Sequence, residues 1–294
     1  MKVGFVGIGN MGAPMASNLA KAGHELLLYD ANPDASARAA RAIGRRATRS
    51  LAEIGSAEVI VTMLPTGAIV RSVLLDQGGI AATAKPGTIV IDMSSSEPIG
   101  TQELGASLAT KGIVLIDAPV SGGVARAVSG KLAIMAGTDD PGALVRIKPL
   151  LLAMGDRIFE TGGLGSGHAM KALNNFVAAT AFAATAEALL IGKRFGLDQG
   201  LMVDVLNAST GRNFHTDVVI KEHVVGGKFA TGFAVGLLAK DVGIAADLGR
   251  QLNIDAPVSR LAAERWAFAR DTLGASRDNS EAIVSWDRDL PGKS

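Results

Sequence analysis

Within its first twelve residues the chain places a short apolar run, Val3-Gly4-Phe5-Val6, directly before Gly7-Ile8-Gly9-Asn10-Met11-Gly12. A strand that ends in G-x-G-x-x-G and feeds a helix constrains the fold strongly, because each glycine answers a separate steric demand. The first permits a tight turn, the second lets backbone approach a pyrophosphate, and the third lets the helix pack closely on the strand. The helical pattern from Met11 to Lys21, closed by Gly23, supplies that helix, whose positive end would face the phosphates. A side chain at Gly9 would block the approach.

Short β-branched runs then alternate with Ala-rich segments: Glu25 to Tyr29, Glu58 to Met63, Thr88 to Met93, Ile113 to Asp117 and Leu132 to Ala136. Runs such as Val59-Ile60-Val61 and Ile89-Val90-Ile91 are apolar without alternation, as expected of parallel strands buried on both faces. The first half therefore predicts a doubly wound α/β sheet of the Rossmann type. Beyond about Thr161 the strand signals stop, and the second half reads as all-helical. At 294 residues the chain is long for one domain. The glycine cluster Gly162-Gly163-Leu164-Gly165-Ser166-Gly167, opening a long apolar helix near His168, marks the boundary. The expected domains are 1–163, which binds the dinucleotide, and 164–294, an all-helical domain for substrate and oligomerisation. After about Ser276 the chain reads as a polar tail.

Composition removes several function classes. With 29 basic and 28 acidic side chains the net charge is +1, so no global field advertises nucleic acid or an anionic membrane as partner. The absence of cysteine excludes disulfides, thiolate metal sites and a cysteine nucleophile, and it suits a cytoplasmic setting. Met1-Lys2 leads straight into the first strand without an apolar leader. The four histidines, His24, His168, His215 and His223, have no ligand-like spacing, so no metal is expected. Ala172 to Ala186 is the most membrane-like stretch. It holds Asn174 and Asn175, lies between Lys171 and Glu187, falls short of roughly 20 apolar residues, and is expected to be a buried helix.

Asp30 ends the second strand about 20 residues past the glycines, where a carboxylate accepts from ribose hydroxyls and repels a 2′-phosphate. Ala31, Asn32 and Pro33 follow, with no Arg to hold that phosphate, so NAD is favoured over NADP. The other reading of Asp30 is a solvated strand-end acid. Leu64-Pro65 and Ser94-Ser95-Ser96 lie at carboxyl ends of expected strands, where ligands of open α/β sheets bind, although Pro and Ser are also ordinary loop residues. Asp117-Ala118-Pro119-Val120-Ser121-Gly122-Gly123 ends in residues able to cradle a carboxylate or simply to turn the chain. Asn174 and Asn175 fall three and four positions after Lys171, which gathers three polar groups on an otherwise apolar helix. Lys240-Asp241, taken alone, reads as an exposed ion pair.

These four segments together resemble the β-hydroxyacid dehydrogenase family, which includes 3-hydroxyisobutyrate dehydrogenase and tartronate semialdehyde reductase and is related to 6-phosphogluconate dehydrogenase. The marks are Gly4 to Gly12, Asp117 to Gly123, Gly165-Ser166-Gly167 leading to Lys171 and Asn174-Asn175, and Lys240-Asp241. The resemblance implies a Rossmann domain, a long interdomain helix and a helical domain that forms dimers or tetramers. It also implies that Gly7, Gly9, Asn10, Met11, Gly12, Asp30, Leu64, Pro65, Ser95 and Lys240 bind the cofactor, with Ser95 standing where the family has threonine. Ser121, Gly122, Gly123 and Asn174 would hold the substrate, Lys171 would be the general acid/base and Asn175 would orient the reacting oxygen. The expected reaction is hydride transfer between NAD and a three- or four-carbon 3-hydroxy acid or its semialdehyde. Ser209 to His215 and Lys221 are candidates for its specificity. The rival readings are an NADPH-dependent semialdehyde or glyoxylate reductase on the same scaffold, and a non-catalytic dinucleotide-binding protein.

Overall fold

The computed structural model describes residues 1–45 and 47–288. The chain divides into two compact units, Met1–Lys171 and Ala172–Ser294, and the helix Ser166–Phe195 runs out of the first into the second.

The first unit holds an eight-stranded sheet: β1 (Lys2–Val6), β2 (Glu25–Tyr29), β3 (Val59–Thr62), β4 (Ile89–Asp92), β5 (Val114–Asp117), β6 (Val120–Ser121), β7 (Leu132–Gly137) and β8 (Gly155–Gly162). The order β2-β1-β3-β4-β5 is parallel throughout. Alternate residues of each strand feed separate clusters on the two faces. Val3, Phe5, Val59, Val61, Ile89, Ile91 and Ile116 pack with Met15 and Leu19, whereas Val6, Ile60, Val90 and Leu115 pack with Leu74 and Leu104. Burial on both faces is the reason these strands carry no polar alternation.

Beyond β5 the sheet departs from the parallel expectation. β7 runs antiparallel to β5 and β6 and parallel to β8, so the sheet as a whole is mixed. The two strands missed in the sequence have simple causes. β6 is two residues long, and β8 is an edge strand whose Asp156, Arg157 and Glu160 are exposed, which gives it the composition of a loop.

The second unit is helical, as expected, around Phe182, Trp266 and Trp286, whose rings meet at centroid separations of 5.3 to 6.2 Å. The Trp266 indole donates to the carbonyl of Ala179 at 3.1 Å, so the largest buried side chain leaves no polar atom idle. The polar stretch after Ser276 is no tail over the described residues. Asp278 and Glu281 form a capping box, and Trp286 closes the core. Residues 289–294 of the expected tail lie outside the described residues. The stretch expected to be a buried helix is only half so: Ala172, Ala179, Phe182 and Ala186 point inward, while Leu173 and Val177 are exposed. By length and composition alone the long helix could cross a membrane.

His215 opens a π-helix, His215–Val225, and its ring stands edge-on to Phe182 at 5.4 Å and to Phe214 at 5.5 Å. Burial is the main cause lowering its pKa from 6.5 to about 4. A depressed folded-state value means that its contribution to stability is complete above the unfolded value and is lost as pH falls from 6.5 towards 4. The full loss is about 3 kcal/mol. Urea unfolding at pH 7 and pH 4 should therefore show a smaller acid-induced loss in His215→Phe than in the wild type; equal losses would refute the assignment.

Candidate functional site

In the first unit the candidate residues gather at the carboxyl ends of the parallel strands. β2 lies on one side of β1 and β3 on the other, so the order reverses at β1, which is where open α/β sheets bind their ligands. Gly7 leaves β1 with φ +97°, and a Cβ there would strike the carbonyl of Met63. A Cβ on Gly12 would strike the carbonyl of Gly7, so the third glycine is required for helix Gly12–Lys21 to seat on the turn. Gly9 differs: a Cβ there meets nothing within 4 Å, and the space it would fill lies over exposed backbone beside Asn10. The helix start has no side-chain cap and no acidic residue in its first turn, so no side chain of that turn neutralises its positive end. These features fit a dinucleotide pyrophosphate.

Asp30 is no idle strand-end acid. One carboxylate oxygen accepts from the Ile8 N–H at 2.6 Å and the other from the Asn32 N–H at 2.8 Å, which locks the glycine loop to the end of β2. Each oxygen keeps a further lone pair for a ribose hydroxyl. The parallel bridge between Leu28 and Ala47 supplies something the local sequence hid. Two residues past that pair come Asp30 on one segment and the exposed Arg49 on the other. The loops after β3 and β4 are also joined, by the Leu64 N–H donating to the Ser94 hydroxyl at 2.9 Å. Pro65 is exposed and Ser95 half-buried beside them.

Ser121 ends β6, and Gly122 and Gly123 follow with φ +131° and +66°. A Cβ on Gly123 would enter open space, so an anion could approach this backbone closely. Asp117, at the end of β5, is fully buried, and its oxygens accept from the N–H groups of Gly165 at 2.8 Å and His168 at 2.7 Å. Burial pushes its carboxyl above the ordinary value, opposed by the His168 ring and by these backbone donors. The glycine cluster is therefore a packing device around this carboxylate. A Cβ on Gly137 would lie 2.6 Å from Asp117 Oδ1, and one on Gly167 2.9 Å from Oδ2. Lys171 follows, half-buried, one turn along the helix.

In the second unit, Asn175 is buried and its Nδ2 donates to Asp241 Oδ2 at 2.6 Å, while Asn174 Nδ2 donates to Asn175 Oδ1 at 3.2 Å. Lys240 Nζ stands 3.3 Å from Asp241 Oδ1. Lys240 and Asp241 are thus not the exposed pair that their sequence suggests when taken alone, because Asp241 is 3% exposed. Asp241 was missed as a site residue. An anionic acceptor at Nδ2 sets the flip of the Asn175 amide, leaving one N–H to aim elsewhere. No signal in the sequence reveals that pairing, since 66 residues separate the partners. Of the specificity candidates, Arg212 is engaged at the surface with Asp217 and Lys221 with Asp204, and His215 packs into the core. No group of three or more metal-ligating side chains occurs among the described residues.

Residues 2–163 match the model described as the NAD binding domain of 6-phosphogluconate dehydrogenase, and residues 165–286 match that of NADP-dependent 3-hydroxyisobutyrate dehydrogenase. The chain belongs to the β-hydroxyacid dehydrogenase family. It is 34% identical over 290 residues to 2-(hydroxymethyl)glutarate dehydrogenase of Eubacterium barkeri, covering 98% of this chain and 95% of the relative. It is 34% identical over 286 residues to the NAD-dependent L-serine dehydrogenase of Pseudomonas aeruginosa, covering 95% of each. The structure of Mycobacterium tuberculosis 3-hydroxyisobutyrate dehydrogenase with L-serine superposes with a TM-score of 0.88 at 35% identity, over 98% of this chain and 99% of that one. The family dehydrogenates small hydroxy acids with a nicotinamide cofactor.

The two glycines make a direct test of the phosphate cradle. Gly9→Ala should unfold like the wild type yet bind NADH at least about 10-fold more weakly, whereas Gly12→Ala should lose about 1–3 kcal/mol of stability from overpacking. Undiminished NADH titration by Gly9→Ala would remove the cradle from this loop.

Proposed function

We propose that this protein is an NAD-dependent dehydrogenase of a three- or four-carbon 3-hydroxy acid, working in reverse on the semialdehyde, with Lys171 as general acid/base. The observation that carries this reading is the anchored polar cluster on the long helix. Asn175, four residues after Lys171, is held by a buried carboxylate in one amide orientation, which is costly to build without a ligand to orient. The compounds that name the relatives support the substrate class: L-serine and 2-(hydroxymethyl)glutarate each carry a primary alcohol beside the carbon that bears a carboxylate.

In this reading the Gly7–Gly12 loop and the uncapped helix start hold the pyrophosphate, Asp30 the ribose, and Leu64, Pro65 and Ser95 the nicotinamide side. Bound nicotinamide supplies the hydride acceptor for oxidation and the donor for reduction. Ser121 offers a hydroxyl, and Gly122 and Gly123 backbone N–H groups, to the substrate carboxylate, and Asn174 is a further substrate-binding residue. Lys171 takes the proton of the reacting hydroxyl and returns it in the reverse direction. The free N–H of Asn175 orients that oxygen, and Lys240 contributes positive charge to cofactor and substrate. The exposed apolar side chains Ile191, Phe195, Leu197, Leu201 and Val205 of the helical unit suit a second copy of the chain, giving a homodimer or tetramer.

NADH formation across a panel of 3-hydroxy acids tests the core of this proposal. Lys171→Ala should lower kcat by about 10² to 10⁴ while NADH affinity stays within about three-fold of the wild type. Turnover that survives the substitution would remove Lys171 from the chemistry.

Cofactor choice rests on Asp30, with Arg49 favouring the second reading of an NADP-dependent reductase. Asp30→Ala should lower the kcat/KM ratio of NAD to NADP by about 10-fold, since removal of the carboxylate takes away both the ribose acceptor and the repulsion of a 2′-phosphate. A wild-type preference for NADP would instead make Arg49 the deciding side chain.

A further inference from the structure

The first unit buries three titratable side chains in one cluster at the strand ends: Asp92, Asp117 and His168, each no more than 1% exposed. The dehydrogenase reading above uses none of them directly. Asp117 accepts from the backbone at the start of the long helix, as described. Asp92 ends β4, and its Oδ1 accepts from the Thr62 hydroxyl at 2.9 Å and the Ser94 N–H at 3.0 Å, while its Oδ2 accepts from the Ser96 hydroxyl at 2.9 Å. Asp92 therefore holds both flanks of Ser95.

His168 stands between the two carboxylates, with Nε2 3.6 Å from Asp92 Oδ2 and Nδ1 3.8 Å from Asp117 Oδ2. Its ring hydrogen-bonds, among the described residues, to the Thr101 hydroxyl, 2.8 Å from Nδ1. That hydroxyl also lies 3.0 Å from the carbonyl of Glu97; in the assignment that sends its proton there, it accepts from His168 and Nδ1 carries the hydrogen. Nε2 is buried and has no hydrogen-bond partner among the described residues. A core serving packing alone would fill this volume with a leucine, at no desolvation cost.

We infer that His168 is a positioning residue for Lys171: it ties the first turn of the long helix to the ends of β4 and β5, and so sets Lys171 in register with the Ser95 and Ser121–Gly123 segments. The helix begins at Ser166, and Lys171 lies three residues past His168, on the next turn of the same side. The ring reaches the helix Pro98–Ala109 through Thr101 and faces the serine loop through Asp92, while its own backbone N–H is held by Asp117. One side chain thus fixes both the rotation and the axial position of the turn that bears Lys171. Displacement of a reacting group by about 1 Å costs about 10² in rate, so the fastening need shift little to be felt.

The inference rests on Lys171 as the acid/base, and its test separates the two claims. His168→Leu keeps the volume and removes both ring nitrogens; His168→Asn keeps a donor near the Nδ1 position, towards Thr101. On an acid that the wild type oxidises, His168→Leu should lower kcat 10- to 100-fold with KM and NADH affinity within about three-fold, and His168→Asn should recover much of the loss. In ligand-free protein, amide exchange across residues 166–175 should accelerate in His168→Leu and return towards wild type in His168→Asn. Imidazole nitrogen shifts of the wild type should report hydrogen on Nδ1. Unchanged kcat per folded molecule, unchanged exchange, or a ring without hydrogen on Nδ1 would each overturn the inference, even if His168→Leu fails to fold. A wild type that oxidises no acid, with exchange altered as expected, would overturn the role of Lys171 and leave the fastening by His168 in place.

Discussion

The carboxylate of Asp117 is the point on which the first unit turns. It sits at the end of a strand whose last three residues are buried, and among the described residues its hydrogen bonds come from backbone: the N–H groups of Gly165 and His168 at the start of a 30-residue helix. A negative charge at that end suits the helix dipole, and it also fixes where the helix begins. Close approach of strand and helix leaves no room for side chains, which is why Gly137 and Gly167 surround the carboxylate. What reads in sequence as a flexible glycine boundary is a tightly packed joint. The segment that leads on to Ser121, Gly122 and Gly123 and the helix that bears Lys171 both depart from it.

A similar arrangement recurs in the helical unit, with a side chain in place of backbone. Asp241 is buried on the helix Val235–Gln251, where it accepts from Asn175 and faces Lys240. A buried carboxylate is expensive unless bonded and paired, so both units place a candidate binding residue beside a charge whose own satisfaction makes the geometry rigid. Asp30 follows the same logic at the glycine loop, where it accepts from two backbone N–H groups before any ribose is considered. Three aspartates thus stiffen the surroundings of the glycine loop, the helix start and the Asn175 amide.

Much of this was legible in one dimension. The strands β1 to β5 and β7 stand out because burial on both faces of a sheet demands uninterrupted apolar runs, and the glycine motif stands out because its steric demands are local. β8 was not legible, because an edge strand facing solvent has the composition of a loop. The buried state of Asp241 and the cluster of Asp92, Asp117 and His168 were not legible either. A lone aspartate or histidine carries no mark of a partner far along the chain, as Asp117 lies 48 positions from Gly165 and His168 67 from Thr101. The four ordered motifs were nonetheless enough to reach the family, because each is a contiguous stretch whose chemistry is written within a few residues.

The sequence by itself determined the parallel core of the sheet, the helical second half and the tight glycine turn after β1. These follow from periodicity and short-range sterics, which need no knowledge of the rest of the chain. Only the tertiary structure decided which carboxylates are buried, which amide orientation Asn175 holds, and that Arg49 follows the segment bridged to β2. Those choices depend on long-range pairing, where the cost of removing a polar group from water is met by a partner far away in the chain.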